Sequence, residues 1–149
     1  LISFFIPGQP KALKRHRTFR RGAVNINIDP SAGDKADFLL QAMQHRPSVP
    51  FRCPLVVRLT FFFARPKSHY NKKGLKTGIP IWQISRPDAD NCIKQILDSL
   101  NKVFWVDDSI ICDLRAMKVY SEAPGIAVQI SPIDGENDLF ADEFYGAGT

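Results

Sequence analysis

The run Pro54–Ala64, PLVVRLTFFFA, limits the possible folds more than any other part of the sequence. Arg58 is its single charge. It is too short to cross a bilayer, which takes roughly 20 apolar residues. Its β-branched and aromatic residues favour a strand, and a strand this apolar has to be covered by neighbours. The run therefore predicts a central strand.

Other elements follow from punctuation and period. LISFFI at 1–6 reads as a strand stopped by Pro7, Gly8 and Pro10. GAVNINIDPS at 22–31 alternates weakly and reads as a short strand ending at Asp29-Pro30. Asp34 is placed to cap a helix over about 35–45, where Phe38, Leu39, Ala42 and Met43 share a face. Residues 79–85 read as a short extended segment. From Asp90 to Asn101 a second helix is predicted, with Ile93, Ile96, Leu97 and Leu100 on one face and Asp90, Lys94 and Asp98 on the other. Residues 109–120 alternate as a strand, Ala123-Pro124-Gly125 turns the chain, and 126–130 reads as an antiparallel partner strand. The sum is one small α/β domain of the α+β type over 1–133, a mixed sheet packed against helices, followed by a tail at 134–149.

The formal net charge is +5, unevenly spread. All 20 Lys and Arg lie in 1–133, whereas 134–149 carries five acids and no base. Two loops concentrate the positive charge. KALKRHRTFRR at 11–21 holds Lys11, Lys14, Arg15, Arg17, Arg20 and Arg21; RPKSHYNKKGLKTG at 65–78 holds Lys72 and Lys73 among others. Such loops suit a polyanion, or are simply solvated faces. Cys53, Cys92 and Cys112 are widely spaced and odd in number, which points to core thiols in a reducing cytoplasm rather than a disulfide framework or a zinc site. No stretch suggests a membrane partner.

Against that basic background, five carboxylates fall between Asp88 and Asp108. Asp88 and Asp90 lie two apart where an extended entry, favoured by Pro87, meets the second helix, so both side chains can face one ion. The plainer reading has Asp90 as the helix cap and Asp88 solvated. Asp108 shares the parity of Ile110, Cys112 and Leu114 and is expected to point toward the helix, with Asp107 on the opposite face. Asp108 meets the other two only if residues 102–106 double back, since five extended residues reach about 17 Å and the helix is about 18 Å long. Three hard oxygen ligands suit Mg²⁺, with Mn²⁺ also possible. Lys94, one turn inside the helix, either supports the reacting phosphate or pairs with Asp90 and Asp98.

The pattern Pro87-Asp88-x-Asp90-Asn91-x-x-Lys94-x-x-x-Asp98-x-Leu100-Asn101, then Val103-x-Trp105-x-Asp107-Asp108, resembles the RusA family of Holliday-junction resolvases. The resemblance implies a small homodimeric, Mg²⁺-dependent endodeoxyribonuclease, of phage or prophage type, that cuts four-way DNA junctions. It places the catalytic acids on Asp88, Asp90 and Asp108, the essential lysine on Lys94, and a DNA-contacting loop on Lys11, Lys14, Arg15 and Arg17. Two departures stand out. Lys102-Val103-Phe104 replaces a glycine-rich turn, and the 65–78 loop and acidic tail look like additions. Other readings are a related nuclease acting on other branched DNA or RNA, and a nucleic-acid-binding protein with an inactive site. Phe4, Phe5, Phe61, Phe62 and Phe63 cannot all face one side of a strand. Some are expected beneath a second helix layer or in a subunit interface.

Overall fold

The computed structural model describes residues 1–133; the predicted acidic tail at 134–149 lies outside the described residues. The apolar run becomes β4 (Leu55–Ala64), which buries Leu55, Val57, Leu59, Phe61 and Phe63 on one face and leaves Arg58 exposed on the other. Each fully buried side chain of this kind contributes about 1.5–3 kcal/mol. Three strands join it: β1 (Ile2–Pro7), β7 (Ile111–Ser121) and β8 (Gly125–Pro132), in the order β1-β8-β4-β7. β4 pairs parallel with β7 and antiparallel with β8, and β8 pairs antiparallel with β1. The sheet is therefore mixed, as expected.

One pairing differs from expectation. β8 is no hairpin partner of β7: residues 122–124 carry the chain past the end of β4, and β8 zips onto its far side. A β7–β8 hairpin would have left the most apolar strand with an unpaired edge.

Two helices cover the inner face. The first, α1 (Ala32–Ala42), buries Phe38 and Ala42. Its N-cap position is Ser31, not Asp34, which sits in the first turn. The second, α2 (Ala89–Leu100), links β4 to β7 in the crossover that parallel strands require. Its buried residues are Cys92, Gln95, Ile96, Ser99 and Leu100, with Ile93 and Leu97 half-buried. The inner face is thus turned from the predicted Ile/Leu stripe, because α2 packs on α1 as well as on the sheet. Ser99 resolves its burial by donating to the Gln95 carbonyl at 2.6 Å. One core joins α1, α2 and the inner side chains of β1, β4 and β8.

Two basic segments are more ordered than loops. Residues 11–21 end in β2 (Arg17–Arg21), which pairs with β3 (Val24–Ile28) as an exposed two-stranded ribbon. Gly22, at φ 63°, makes the two-residue turn that such ribbons favour. Within 65–78, a 3-10 turn at Lys67–His69 precedes the short pair β5 (Tyr70–Asn71) and β6 (Gly74–Leu75), with Lys72 and Lys73 at the turn. The crowded phenylalanines divide across the sheet. Phe4, Phe61 and Phe63 go into the core, while Phe5 and Phe62 meet ring to ring at 6.1 Å on the outer face. Cys53, Cys92 and Cys112 are unpaired, but only Cys92 is the expected core thiol: Cys53 is half-buried and Cys112, on β7, is exposed. No helix among the described residues is long and apolar enough to cross a membrane.

The one-sided sheet makes a direct prediction. Leu59→Ala should lower unfolding stability by about 2–5 kcal/mol, whereas Arg58→Ala on the open face should change it by less than about 0.5 kcal/mol. Urea denaturation checks both; equal losses would contradict the layering.

Candidate functional site

The acids group by the two ends of α2. At its start, Asp88 occupies the N-cap position with extended backbone, φ −69° and ψ 147°, just after the cis Arg86–Pro87 peptide. Its carbonyl accepts the first helical bond from Cys92 at 3.2 Å, but its carboxylate makes no capping bond. Asp90 lies in the first turn rather than at the cap. Both are exposed. The helix N-terminus favours negative charge, so the pair sits in a tolerant field without being used up by the helix.

Lys94 is exposed one turn on, and it forms no ion pair with Asp90 or Asp98. A second lysine escaped sequence reasoning. Lys118 of β7 reaches this end of the helix, donating to the Ser85 carbonyl at 2.8 Å. Nothing local in the sequence relates residue 118 to residue 88; the parallel crossover does. The buried Cys92 thiol feels this surrounding. Burial pushes its pKa up to about 11, with Lys118 opposing and Asp90 and Asp88 adding to the rise.

Asp108 lies elsewhere. It opens a 3-10 turn, Asp108–Ile110, ahead of β7, so strand parity does not extend back to it. It still turns inward, for another reason: its carboxylate accepts the indole N–H of fully buried Trp105 at 2.7 Å. Partial burial raises its pKa; the Trp105 bond opposes this, and the neighbouring charges of Asp98 and Asp107 add to it. Asp107 faces out. Bonds from Ser109 and Lys102 pull its pKa down to about 2. Lys102 reaches Asp107 at 3.0 Å and the Val106 carbonyl at 2.8 Å. Its own backbone is left-handed, φ 69°, at the helix end where glycine is preferred.

Asp108 therefore neighbours Asp98 near the end of α2, while Asp88 and Asp90 mark its start. The helix has 12 residues and is about 18 Å long. Residues 102–106 turn into β7 rather than doubling back along the helix. Among the described residues, no group of three or more His, Cys, Asp or Glu side chains is arranged to hold one ion.

One basic element, the arm at 11–21, meets the helix start. The arm is tied there by the Leu13 amide, which donates to the Asn91 carbonyl at 3.1 Å. Lys11 and Lys14 are engaged by Asp34, at 2.9 and 3.7 Å. Beyond them, Arg15, Arg17, Arg20 and Arg21 are exposed, Arg20 donating to the Gly22 carbonyl at 3.0 Å.

The Trp105–Asp108 bond gives Asp108 a structural task separable from any chemistry. Asp108→Ala strands a buried indole N–H and should cost about 1–3 kcal/mol in urea unfolding. Asp108→Asn keeps an acceptor oxygen and should cost clearly less. Equal losses would show that the bond contributes nothing.

The family model described as Endodeoxyribonuclease RusA matches residues 7–131. The chain is 33% identical over 138 residues to "Uncharacterized protein YqaN" of Bacillus subtilis (strain 168), covering 89% of this chain and 96% of that protein. It is also 33% identical over 97 residues to "Crossover junction endodeoxyribonuclease rusA" of Lactococcus phage r1t, covering 62% of this chain and 67% of the phage protein. A match running from the end of β1 to the end of β8 takes in both helices and every acid described above, and the chain belongs to the RusA endodeoxyribonuclease family.

Proposed function

We propose that this protein is a Mg²⁺-dependent endodeoxyribonuclease acting on branched DNA, four-way junctions foremost, and that it works as a homodimer. The observation that carries this reading is the start of α2: two exposed carboxylates, Asp88 and Asp90, unspent on capping, beside a basic arm tied to the same helical turn. Family membership and the phage relative's name point the same way.

Asp88, Asp90 and Asp108 would hold the ion. The donor set fits a hard divalent cation: all three are carboxylates, and Asp108 already carries a pKa raised by burial and by its acidic neighbours, a conflict that a cation relieves. Bound Mg²⁺, or Mn²⁺ in its place, supplies Lewis-acid polarisation of a phosphoryl oxygen and acidifies water. Lys94, with no carboxylate partner among the described residues, stabilises negative charge developing on the phosphate. Arg15, Arg17, Arg20 and Arg21, with Lys11 and Lys14, neutralise phosphates along the DNA, and Lys72 and Lys73 extend the contact.

One chain does not bring its three acids together, but two chains can. A two-fold axis perpendicular to α2 sets the start of one helix against the end of the other. Asp88 and Asp90 of one protomer then share an ion with Asp108 of its partner. The same operation yields two sites, matching the two-fold symmetry of a four-way junction.

A synthetic four-way junction should be cut on two opposed strands with Mg²⁺ and left intact with EDTA, while duplex made from the same strands persists. Asp88→Asn, Asp90→Asn and Asp108→Asn should each lower the cleavage rate at least about a hundredfold, as losses of charge stabilisation do, without loss of junction binding. Lys94→Ala should slow turnover more than it weakens binding. Metal-independent cleavage, or full activity in any Asn variant, would refute the assignment. Cleavage of RNA or of other branches in preference to junctions would move the substrate and leave the site in place.

A further inference from the structure

The segment Ile81–Ser85 approaches the acid pair as an apolar strap. It runs along the outer edge of β7: the Tyr120 amide donates to the Ile81 carbonyl at 2.8 Å and the Gln83 amide to the Lys118 carbonyl at 3.1 Å, with Trp82 opposite Val119. Lys118 closes it from the side through the Ser85 carbonyl, and Gln83 Nε2 donates to the Arg86 carbonyl at 3.1 Å. Gln83 turns inward, 7% exposed, whereas Trp82 and Ile84 stand out at 57% and 92%. Trp82 thus presents its exposed indole, a flat apolar plate, from a segment whose backbone is tied to the edge of β7.

Every charge on the surrounding chain is positive. From Arg65 to Arg86 there are six Lys and Arg and no acid; the next charge is Asp88. Arg65 donates to the Pro80 carbonyl at 3.1 Å, directly before the strap. An apolar plate framed in this way repels a second copy of its own basic surround and suits a polyanion that carries flat apolar faces. Nucleic acid is such a partner, and base–aromatic stacking tolerates any sequence. Duplex ends and branch points are where bases present an open face. Trp82 and Asp88 are six positions apart, a reach of at most about 21 Å, or about six nucleotide rises of 3.4 Å.

We propose that Trp82, supported by Ile84, stacks on a nucleobase exposed at the branch and so sets the preference for branched over plain duplex DNA. This rests on the branched-DNA nuclease reading above and adds a specificity residue to it.

The two tryptophans make the test direct, because Trp105 is fully buried and Trp82 is not. A synthetic four-way junction is titrated into the intact protein in EDTA, with tryptophan emission and acrylamide quenching as readouts. Junction binding should quench Trp82 emission and shield it from acrylamide. Trp82→Ala should weaken junction binding about 5- to 150-fold, as expected for a lost base–aromatic stack, with duplex affinity changed less than about twofold. Trp82→Phe should recover part of the difference. Residual Trp105 emission reports that each variant is folded. A junction that binds and is cut while Trp82 stays quenchable, with Trp82→Ala binding as the wild type does, overturns the stacking role alone. Failure of the wild type to bind any DNA overturns the nuclease reading as well. Shielding of Trp82 that grows with protein concentration and without DNA assigns the plate to a subunit interface and overturns the proposal.

Discussion

The packing of α2 onto α1 and the sheet, in one core with the inner side chains of β4, is the constraint on which the rest of the molecule depends. Ile96, Leu100 and Cys92 are at most 1% exposed, and they commit one face of the helix to the core shared with the most apolar strand. Once that face is committed, the helix can present only its outer side and its two ends to solvent. Asp88, Asp90 and Lys94 appear at one end and Asp98, beside Asp108, at the other. The fold thus keeps apart, within each chain, carboxylates that would otherwise repel one another.

This division also organises the positive charge. The arm reaches the helix start through the Leu13–Asn91 bond, and Lys118 arrives from β7. Cations therefore converge on the end that carries the exposed acid pair, whereas the Asp108 end is built around a buried indole and the Lys102–Asp107 pair. The first end gathers positive charge around an exposed acid pair; the second holds Asp108 against Trp105. A site shared between protomers would use both properties.

β4 and α2 were readable because their signals are local: an apolar run bounded by proline, and hydrophobic residues at helical spacing. The neighbours of β4 were not. Which strand flanks it depends on burying both its edges, and that requirement overrode the short link between β7 and β8. β3 falls in the weakly alternating stretch that reads as a strand, but its partner β2 was missed because six basic residues in 11–21 hid the pairing of Phe19 with Ile26 and the turn signal of Gly22. Asp108 was placed by a strand alternation that stops at a 3-10 turn, and its real anchor, Trp105, lies outside that alternation. The substitution of Lys102 for a turn glycine was visible, but not that its side chain would return to Val106 and Asp107 while the backbone takes a left-handed turn. Lys118 and Trp82 acquire meaning only from the β7 edge, which no local pattern reports.

Whether two chains complete each metal site is decided by subunit mixing. Asp88→Asn protein and Asp108→Asn protein, each inactive alone, are mixed, allowed to exchange subunits, and given a four-way junction with Mg²⁺. In a mixed dimer with shared sites, one site carries both substitutions and the other carries neither. Single-strand nicking of the junction should therefore return on mixing, to no more than about half the wild-type sites. If the mixture exchanges subunits and stays inactive, every site draws its acids from one chain, and the shared site is wrong.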